Sequence, residues 1–217
     1  MFKRVVFHGC LNERTGYGIH ASRFTEALSK LTHVEIAWDG TKPEVGDIHV
    51  SLLDVVTASQ TDVRLPAPSI LYTVWESTEY PAEFLKRLHL YDQMWVPSEW
   101  ERSCAIAQGI PEEFVKVVHE GVDPDVYKPG VSPSLDPAHT MPTPSTFNFV
   151  HVGQWQPRKS TKEIVEAFRK AFPDNSIVRL YLSTDTLFPS DEHKSTEERL
   201  KYYGLTDPRI IPIHFEE

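Results

Sequence analysis

The hydrophobic residues of this chain fall into short runs that alternate with segments of helical periodicity. The run Val5–Phe7 ends at Gly9 and predicts a first strand. In the next segment, Phe24, Leu28 and Leu31 are spaced three or four positions apart, which predicts a helix. Further strands are predicted at 34–38, 48–53, 70–75, 94–96 and 115–118, and further helices at 81–90 and 98–108. This alternation is typical of an α/β fold with a mainly parallel sheet.

The pattern stops between residues 124 and 144, where six of the seventeen prolines fall. No apolar periodicity is left there, so this stretch is predicted to be a linker or a long surface excursion. Alternation then starts again, with strands at 147–152, 177–182 and 210–213 and helices around 164–172 and 197–203. We therefore predict an N-terminal Rossmann-like domain at 1–122, a proline-rich linker at 123–146, and the first, incomplete part of a second Rossmann-like domain at 147–217.

Composition and charge narrow the classes of protein. The 217 residues are 40 % hydrophobic, which is ordinary for a globular protein. Their formal net charge of −9 argues against nucleic acid as a partner. No apolar run reaches the roughly 18 residues that span a bilayer, so no transmembrane segment is expected, while peripheral membrane contact stays open. Cys10 and Cys104 form no C-x-x-C pair, and no signal peptide is recognisable. A cytoplasmic protein with free thiols is expected, and the scattered histidines predict no metal site.

Two glycines open the first predicted helix. Gly16, Tyr17, Gly18 and Ala21 fit the dinucleotide fingerprint G-x-G-x-x-A, and Asp39 lies where a ribose-binding acid would stand. About seven residues separate the strand from Gly16, which is too long for the tight turn of that fingerprint. An NAD-dependent oxidoreductase is therefore the weaker interpretation. Glycines at a helix N-terminus also suit an anion or sugar hydroxyl close to the backbone, and a plain connecting loop is the alternative.

Two cations precede a later helix. Arg158 and Lys159 follow a strand that ends at Gly153, and a capping box of Ser160 and Glu163 is predicted to start the helix. Basic residues oppose the dipole at a helix N-terminus, so an anion would make their placement favourable. A guanidinium can hold two oxygens and an ammonium adds a point charge. The pair predicts a diphosphate site, with a solvated basic turn as the alternative.

Three further features lie at predicted strand ends or turns. Glu76 follows the fourth strand, and a carboxylate at the carboxyl end of a parallel strand faces the crevice where such sheets bind ligands. An acidic surface loop is the alternative for Glu76. Asp123 and Asp125 spell D-x-D, a metal motif in one class of sugar-transferring enzymes, but their proline-rich context favours a turn. His8, at the end of the first strand, fits either the core or a site.

Four stretches together resemble the family 4 retaining glycosyltransferases, which have a GT-B fold of two facing Rossmann-like domains. The resemblance covers the whole chain. It implies transfer of a sugar from a nucleotide-diphosphate sugar to a carbohydrate, glycolipid or glycoprotein acceptor, with retention of configuration and with no metal or other cofactor. The four stretches are Gly16–Gly18, Trp95–Trp100, Val117–Asp123, and Phe149–Trp155 followed by Arg158 and Lys159.

The resemblance also implies roles for individual residues. Arg158 and Lys159 would neutralise the departing diphosphate, while Gly16 and Gly18 would bring backbone close to the donor phosphate and the acceptor. Many members carry a histidine just after the fourth strand, where this chain has Glu76, its candidate catalytic residue. The other implied cleft positions are Tyr17, Ser98, Glu120 and Gly153.

One motif of the family does not occur in these 217 residues. Members carry an E-x7-E pair later in the donor domain, where the two acids bind the donor sugar and the ribose, and Glu216 and Glu217 do not supply it. We therefore expect an incomplete donor site and little activity from this chain alone. A non-catalytic module that binds carbohydrate or nucleotide is the alternative to an enzyme.

Overall fold

The computed structural model describes residues 4–12, 15–37, 41–66, 68–130, 146–184 and 195–213. Its packing divides the chain into two units, residues 1–128 and 129–217. Most of the predicted linker lies outside the described residues, so the finer boundaries at 122 and 147 stay a prediction. None of the described helices is both long and apolar enough to cross a bilayer.

The first unit is a six-stranded parallel sheet in the order β2-β1-β3-β4-β5-β6. Because the chain runs from β1 outward to β2 and then returns to β3, the strand order reverses between β1 and β3, which is where open α/β sheets form a crevice. Its elements are β1 Val5–His8, α1 Gly16–Ser29, β2 Val34–Ile36, β3 Ile48–Leu52, α2 Val55–Gln60, β4 Ser69–Tyr72, α3 Ala82–Arg87, a 3₁₀ turn Leu88–Leu90, β5 Gln93–Val96, α4 Glu99–Ala107 and β6 Val115–Val117.

Helices cover both faces of this sheet. On one face α1 packs over Phe7, Val50 and Tyr72. On the other face the helices α2, α3 and α4 pack over Leu71 and Met94, both of which are fully buried. Each such side chain contributes roughly 1.5–3 kcal/mol by leaving water. The predicted α/β layering is therefore confirmed for the first unit.

The sequence pattern missed α2. Asp54 caps this helix by accepting hydrogen bonds from the backbone N–H groups of Val56 and Thr57, at 2.9 and 3.0 Å. Two valines and a threonine then open the helix, and such β-branched residues favour strands. Because of this preference for strands, the sequence pattern did not indicate a helix after Asp54. The packing of Val55 and Ala58 into the core outweighs the preference.

The second unit is a three-stranded parallel sheet in the order β7-β8-β9, which confirms the predicted restart of the α/β pattern. The helices α5 and α6 cover one face, where Val165, Leu180 and Leu200 are buried. Its elements are β7 Phe147–Val152, a 3₁₀ turn Pro157–Lys159, α5 Thr161–Ala171, β8 Val178–Ser183, α6 Thr196–Tyr202 and β9 Ile210–Pro212.

The predicted capping box at α5 is wrong. Ser160 adopts the left-handed conformation, with φ 51° and ψ 33°, and its side chain makes no cap hydrogen bond. A capping box instead starts α6. There the Ser195 hydroxyl accepts the backbone N–H of Glu198, and the Glu198 carboxylate accepts the backbone N–H of Ser195. The same S-x-x-E spacing therefore caps one helix and not the other, because a side-chain cap requires an extended residue at the N-cap.

Candidate functional site

The predicted site residues of the first unit gather at the carboxyl edge of its sheet. Because all six strands are parallel, the segments that follow β1, β4, β5 and β6 reach the same edge, and α1 begins there as well. Glu76 follows β4, Ser98 follows β5 and Glu120 follows β6. Tyr17 lies in the first turn of α1. Topology alone therefore places these four residues along one edge.

The start of α1 is built on a close backbone approach at Gly18. Thr15 caps the helix by accepting the Gly18 N–H at 3.0 Å. A Cβ on Gly18 would overlap the backbone carbonyl of Asn12, whereas a Cβ on Gly16 would have nothing within 4 Å. Gly16 is also not among the glycines with positive φ. Gly18 is therefore required for its close packing against the Asn12 backbone, while the contact of either glycine with a ligand stays a prediction.

Tyr17 ties α1 to the segment after β4. Its hydroxyl donates to the Val74 carbonyl at 3.0 Å and accepts the Val74 N–H at 3.3 Å. Burial raises the pKa of Tyr17 to about 12, so the phenol keeps its proton at neutral pH. Tyr17 thereby fixes the backbone two residues before Glu76, which lies exposed on the same segment.

A histidine that the sequence did not single out pairs with the predicted cleft residue Glu120. Nδ1 of His20 lies 2.8 Å from Oε1 of Glu120, a contact at ion-pair distance whose alignment is poor for a linear hydrogen bond. The His20 side chain is only 11 % exposed, and its ring stands edge-on to Tyr72 with 4.7 Å between ring centroids. The contact with His20 lowers the pKa of the half-exposed Glu120 carboxyl. Partial burial raises this pKa by a smaller amount, so the net effect is a lower pKa. A carboxylate beside an imidazole can orient the ring.

Ser98 serves as a helix cap. Its hydroxyl accepts the backbone N–H of Glu101 at 3.2 Å, and its extended backbone starts α4. The predicted cleft position of Ser98 therefore has a structural explanation as well, because the cap stabilises α4 by about 1 kcal/mol.

His8 pairs with a buried histidine of the neighbouring strand. Nε2 of His8 lies 3.0 Å from Nδ1 of His49. Burial lowers the pKa of His8 to about 4 and also lowers the pKa of His49, so both rings are neutral at pH 7 and share one proton between these nitrogens. Within the described residues, no group of three or more His, Cys, Asp or Glu side chains could hold a metal ion.

In the second unit, the predicted donor-site residues follow β7. Gly153 adopts φ 150°, a conformation that favours glycine, and the place of its missing Cβ lies 3.7 Å from the Lys159 side chain. Arg158 and Lys159 form the exposed 3₁₀ turn that leads into α5. The Ser160 side chain does not cap the backbone N–H groups at the start of α5, and the two cations directly precede this helix start.

A further polar contact at this end involves His151. Nε2 of His151 lies 3.0 Å from the hydroxyl of Thr161, the first residue of α5. Burial and the nearby charge of Lys159 lower the pKa of His151, which keeps its ring neutral at pH 7. The positive charge at this strand end therefore comes from Arg158 and Lys159 and not from the histidine.

Two weaker predictions concern acidic residues. Asp123 accepts the Asp125 N–H through its side chain at 2.9 Å and the Tyr127 N–H through its carbonyl at 2.9 Å, so the D-x-D sequence forms a turn as expected. Asp39, the acid of the dinucleotide fingerprint, lies outside the described residues.

No protein-family model and no curated protein sequence matches the chain. Among solved structures, HepE of Anabaena in complex with UDP-glucose superposes with a TM-score of 0.60 and 15 % identity, over 99 % of this chain and 69 % of that chain. A Listeria monocytogenes protein assigned as a UDP-N-acetylglucosamine 2-epimerase superposes with a TM-score of 0.54 and 11 % identity, over 100 % and 70 % of the two chains. The lipopolysaccharide outer core galactosyltransferase WaaB gives a TM-score of 0.51 and 14 % identity, over 100 % and 69 %.

At identities this low, the likeness extends to the fold, and one fold hosts several chemistries. The chain accordingly has the predicted α/β fold of GT-B type, with one complete and one shorter parallel sheet.

Proposed function

We propose that this chain belongs to a glycosyltransferase that moves a sugar from a nucleotide-diphosphate sugar to an acceptor hydroxyl. The observation that carries the proposal is the exposed cation pair Arg158 and Lys159 at the carboxyl end of β7, directly before α5. An anion there would interact favourably with two cations and with the N-terminal end of the helix dipole. The resemblance to family 4 and the UDP-glucose complex of HepE support a diphosphate as that anion.

The proposed role of these cations follows from the charge of the leaving group. Breaking the bond between the sugar and the nucleotide leaves negative charge on the departing diphosphate. Arg158 offers a planar fork for two oxygens, and Lys159 adds a second charge. Preorganised cations of this kind stabilise charge that develops in the transition state. The Lys159 side chain lies close to Gly153, at the end of β7.

The acceptor is proposed to bind at the carboxyl edge of the first sheet. Glu76 is exposed there, and Tyr17 fixes the backbone close to it. His20 and Glu120 add a second polar pair at the same edge. Carboxylate and imidazole groups can bind and orient sugar hydroxyls, so this edge suits a carbohydrate, glycolipid or glycoprotein acceptor. Gly16 is proposed to let the acceptor or the donor phosphate approach the backbone.

The finer features of the reaction rest on the resemblance to family 4. We propose that the transferred sugar keeps its anomeric configuration, that neither a metal nor another cofactor takes part, and that the reaction takes place in the cytoplasm. The fold alone does not separate transfer from epimerisation, since an assigned epimerase shares it. The cation pair is compatible with either reaction, and a product analysis separates the two.

The test follows the fate of a UDP-sugar incubated with the full-length protein and a mixture of sugar acceptors, with anomeric NMR signals as the readout. The proposal expects UDP release together with a glycoside of the same anomeric configuration as the donor. The Arg158→Ala variant should form it at least about ten-fold more slowly. An epimerised nucleotide sugar without a glycoside would contradict transfer, and an inverted glycoside would contradict retention. Binding of NAD in preference to UDP would favour the oxidoreductase interpretation.

A further inference from the structure

The segment between β4 and α3, residues 73–81, carries Glu76 without forming a helix or strand of its own. Contacts of its aromatic residues hold it in place. Nε1 of Trp75 donates to the Glu79 carbonyl at 2.7 Å, which closes the loop on itself. Tyr80 is 4 % exposed and stacks on Trp75 and on Phe84, with ring centroids 6.2 and 4.9 Å apart. Tyr80 is therefore the anchor of this loop.

The anchor is attached to α4 by two polar contacts. The backbone N–H of Tyr80 donates to Oε1 of Gln108 at 2.6 Å, just after the end of α4. The Tyr80 hydroxyl donates to Oε1 of Glu101 at 2.8 Å, inside the helix. The backbone N–H of Trp75 also acts electrostatically on the Glu101 carboxyl. One carboxyl group thus interacts with both ends of the Trp75–Tyr80 segment.

Glu101 occupies an unusual place for an acid. It is the third residue after the Ser98 cap, where a capping box would turn its carboxylate back to the Ser98 N–H. The side chain instead points to the loop and is only 1 % exposed. A buried carboxylate costs free energy unless a cation compensates it.

No cation is among the titratable groups that act on this pair in the described part of the chain. Burial is the largest effect and raises the pKa of Glu101 to about 7, the charge of Glu120 adds to the increase, and the hydrogen bond from Tyr80 and the backbone N–H of Trp75 oppose it. The groups that interact with Glu101 or Tyr80 are Tyr17 on α1, Tyr72 on β4, Tyr80 itself, Cys104 on α4, and Glu120 after β6.

We propose that Glu101 is a positioning residue that holds the 73–81 loop, and Glu76 with it, and that the closed loop, by keeping water from this carboxyl, favours its protonated form. When the loop opens, water reaches the carboxyl and its pKa returns towards the ordinary glutamate value of 4.5. A proton therefore binds the closed loop more tightly than the open one. By linkage, the opening becomes easier as the pH rises from about 4.5 to about 7, and it levels off above that range.

Amide hydrogen exchange of residues 73–81 in the 217-residue protein tests this proposal. After correction for the intrinsic exchange rate, protection should fall about ten-fold or more between roughly pH 5 and pH 7 and then stay level. Glu101→Gln keeps an oxygen for the Tyr80 hydroxyl but cannot ionise, so its protection should not change with pH. Glu99→Gln removes an exposed carboxylate from the same helical turn and should keep the profile of the parent protein.

Tyr80→Phe provides a second, independent arm. This variant removes the hydroxyl bond to Glu101 and should lower the protection of the loop at every pH. A flat profile in the parent protein, a pH dependence that survives in Glu101→Gln, or unchanged protection in Tyr80→Phe would each overturn the proposal. Because neither a nucleotide nor an acceptor takes part, a failed transferase test leaves this result unaffected.

Discussion

Nδ1 of His20 and Oε1 of Glu120 lie 2.8 Å apart, although His20 lies in the second turn of α1 and Glu120 follows β6. The long parallel sheet explains this contact. α1 packs across one face as far as Trp95 and Val118, so its first turns reach the far side of the carboxyl edge. Tyr72 lies beneath the pair, edge-on to the His20 ring, and donates its hydroxyl to the Val118 carbonyl at 2.5 Å.

The pair predicts a pH-dependent contribution to stability. Contact with His20 lowers the pKa of Glu120 in the folded state, so the stabilisation is present above the unfolded pKa and is lost as the pH falls through the folded pKa. Glu120→Gln should therefore reduce stability at neutral pH, by about 1 kcal/mol or less because Glu120 is half-exposed, and should have no effect at about pH 2. Urea unfolding at the two pH values measures this difference. An equal loss at both would contradict the ion-pair interpretation.

Gly18 and Gly16 should respond differently to the same substitution. A Cβ on Gly18 overlaps the Asn12 carbonyl, so Gly18→Ala should cost about 1–3 kcal/mol. Gly16→Ala meets no atom and should change stability by less than about 1 kcal/mol. Thermal unfolding of both variants checks the contrast. If Gly16 also lies close to a ligand, Gly16→Val should weaken nucleotide or acceptor use without unfolding the protein, whereas full activity would make this loop a simple connection.

Ser160 and Ser195 form a second matched pair. Ser160 has positive φ and makes no cap bond, so Ser160→Gly should stabilise the second unit by up to about 1 kcal/mol. Ser195 takes part in a complete capping box, so Ser195→Ala should destabilise it by about 1 kcal/mol. Denaturant titrations of both variants give the comparison. Destabilisation by Ser160→Gly would mean that the serine side chain holds the turn after all.

Glu101 should make the whole fold sensitive to pH. Its folded pKa of about 7 exceeds the ordinary glutamate value of 4.5, so the folded state binds the proton more tightly. The free energy of unfolding therefore decreases as the pH rises between these values. Glu101→Gln should therefore raise the melting temperature relative to the parent protein more at about pH 8 than at about pH 4. An equal shift at both pH values would show that the carboxyl does not change its protonation on unfolding.

Much of the fold could be predicted because parallel strands are short apolar runs between glycines and prolines, as in Val5–Phe7 and 147–152. α2 could not, because its β-branched start favours a strand locally and only packing makes it helical. The cap at Ser160 was mispredicted because S-x-x-E spacing does not report the backbone conformation of the serine.

The candidate site was only half predictable. The glycines and cations next to strand ends can be recognised from the local sequence, and Glu120 lies in one of the four stretches that resemble family 4. The partners His20 and Glu101 depend on which elements the topology brings together. His20 meets Glu120 only because α1 spans the sheet, and Glu101 meets Tyr80 only because the loop after β4 packs on α4. No spacing along the chain encodes either contact.

The binding of a nucleotide diphosphate to Arg158 and Lys159 is the central proposal, and calorimetry with UDP tests it most directly. A charge-assisted hydrogen bond contributes about 1.5–3 kcal/mol, so Arg158→Ala or Lys159→Ala should each weaken UDP binding about ten-fold or more. Arg158→Lys should also weaken it, since the planar fork is lost. Lys170→Ala removes the same charge near the other end of α5 and should leave the affinity unchanged. Absolute affinity should be low in these 217 residues, which contain no E-x7-E pair of the family kind, so the ratios between variants are the readout. Equal affinities in the parent protein, Arg158→Ala and Lys159→Ala would place the diphosphate elsewhere and contradict the proposed function.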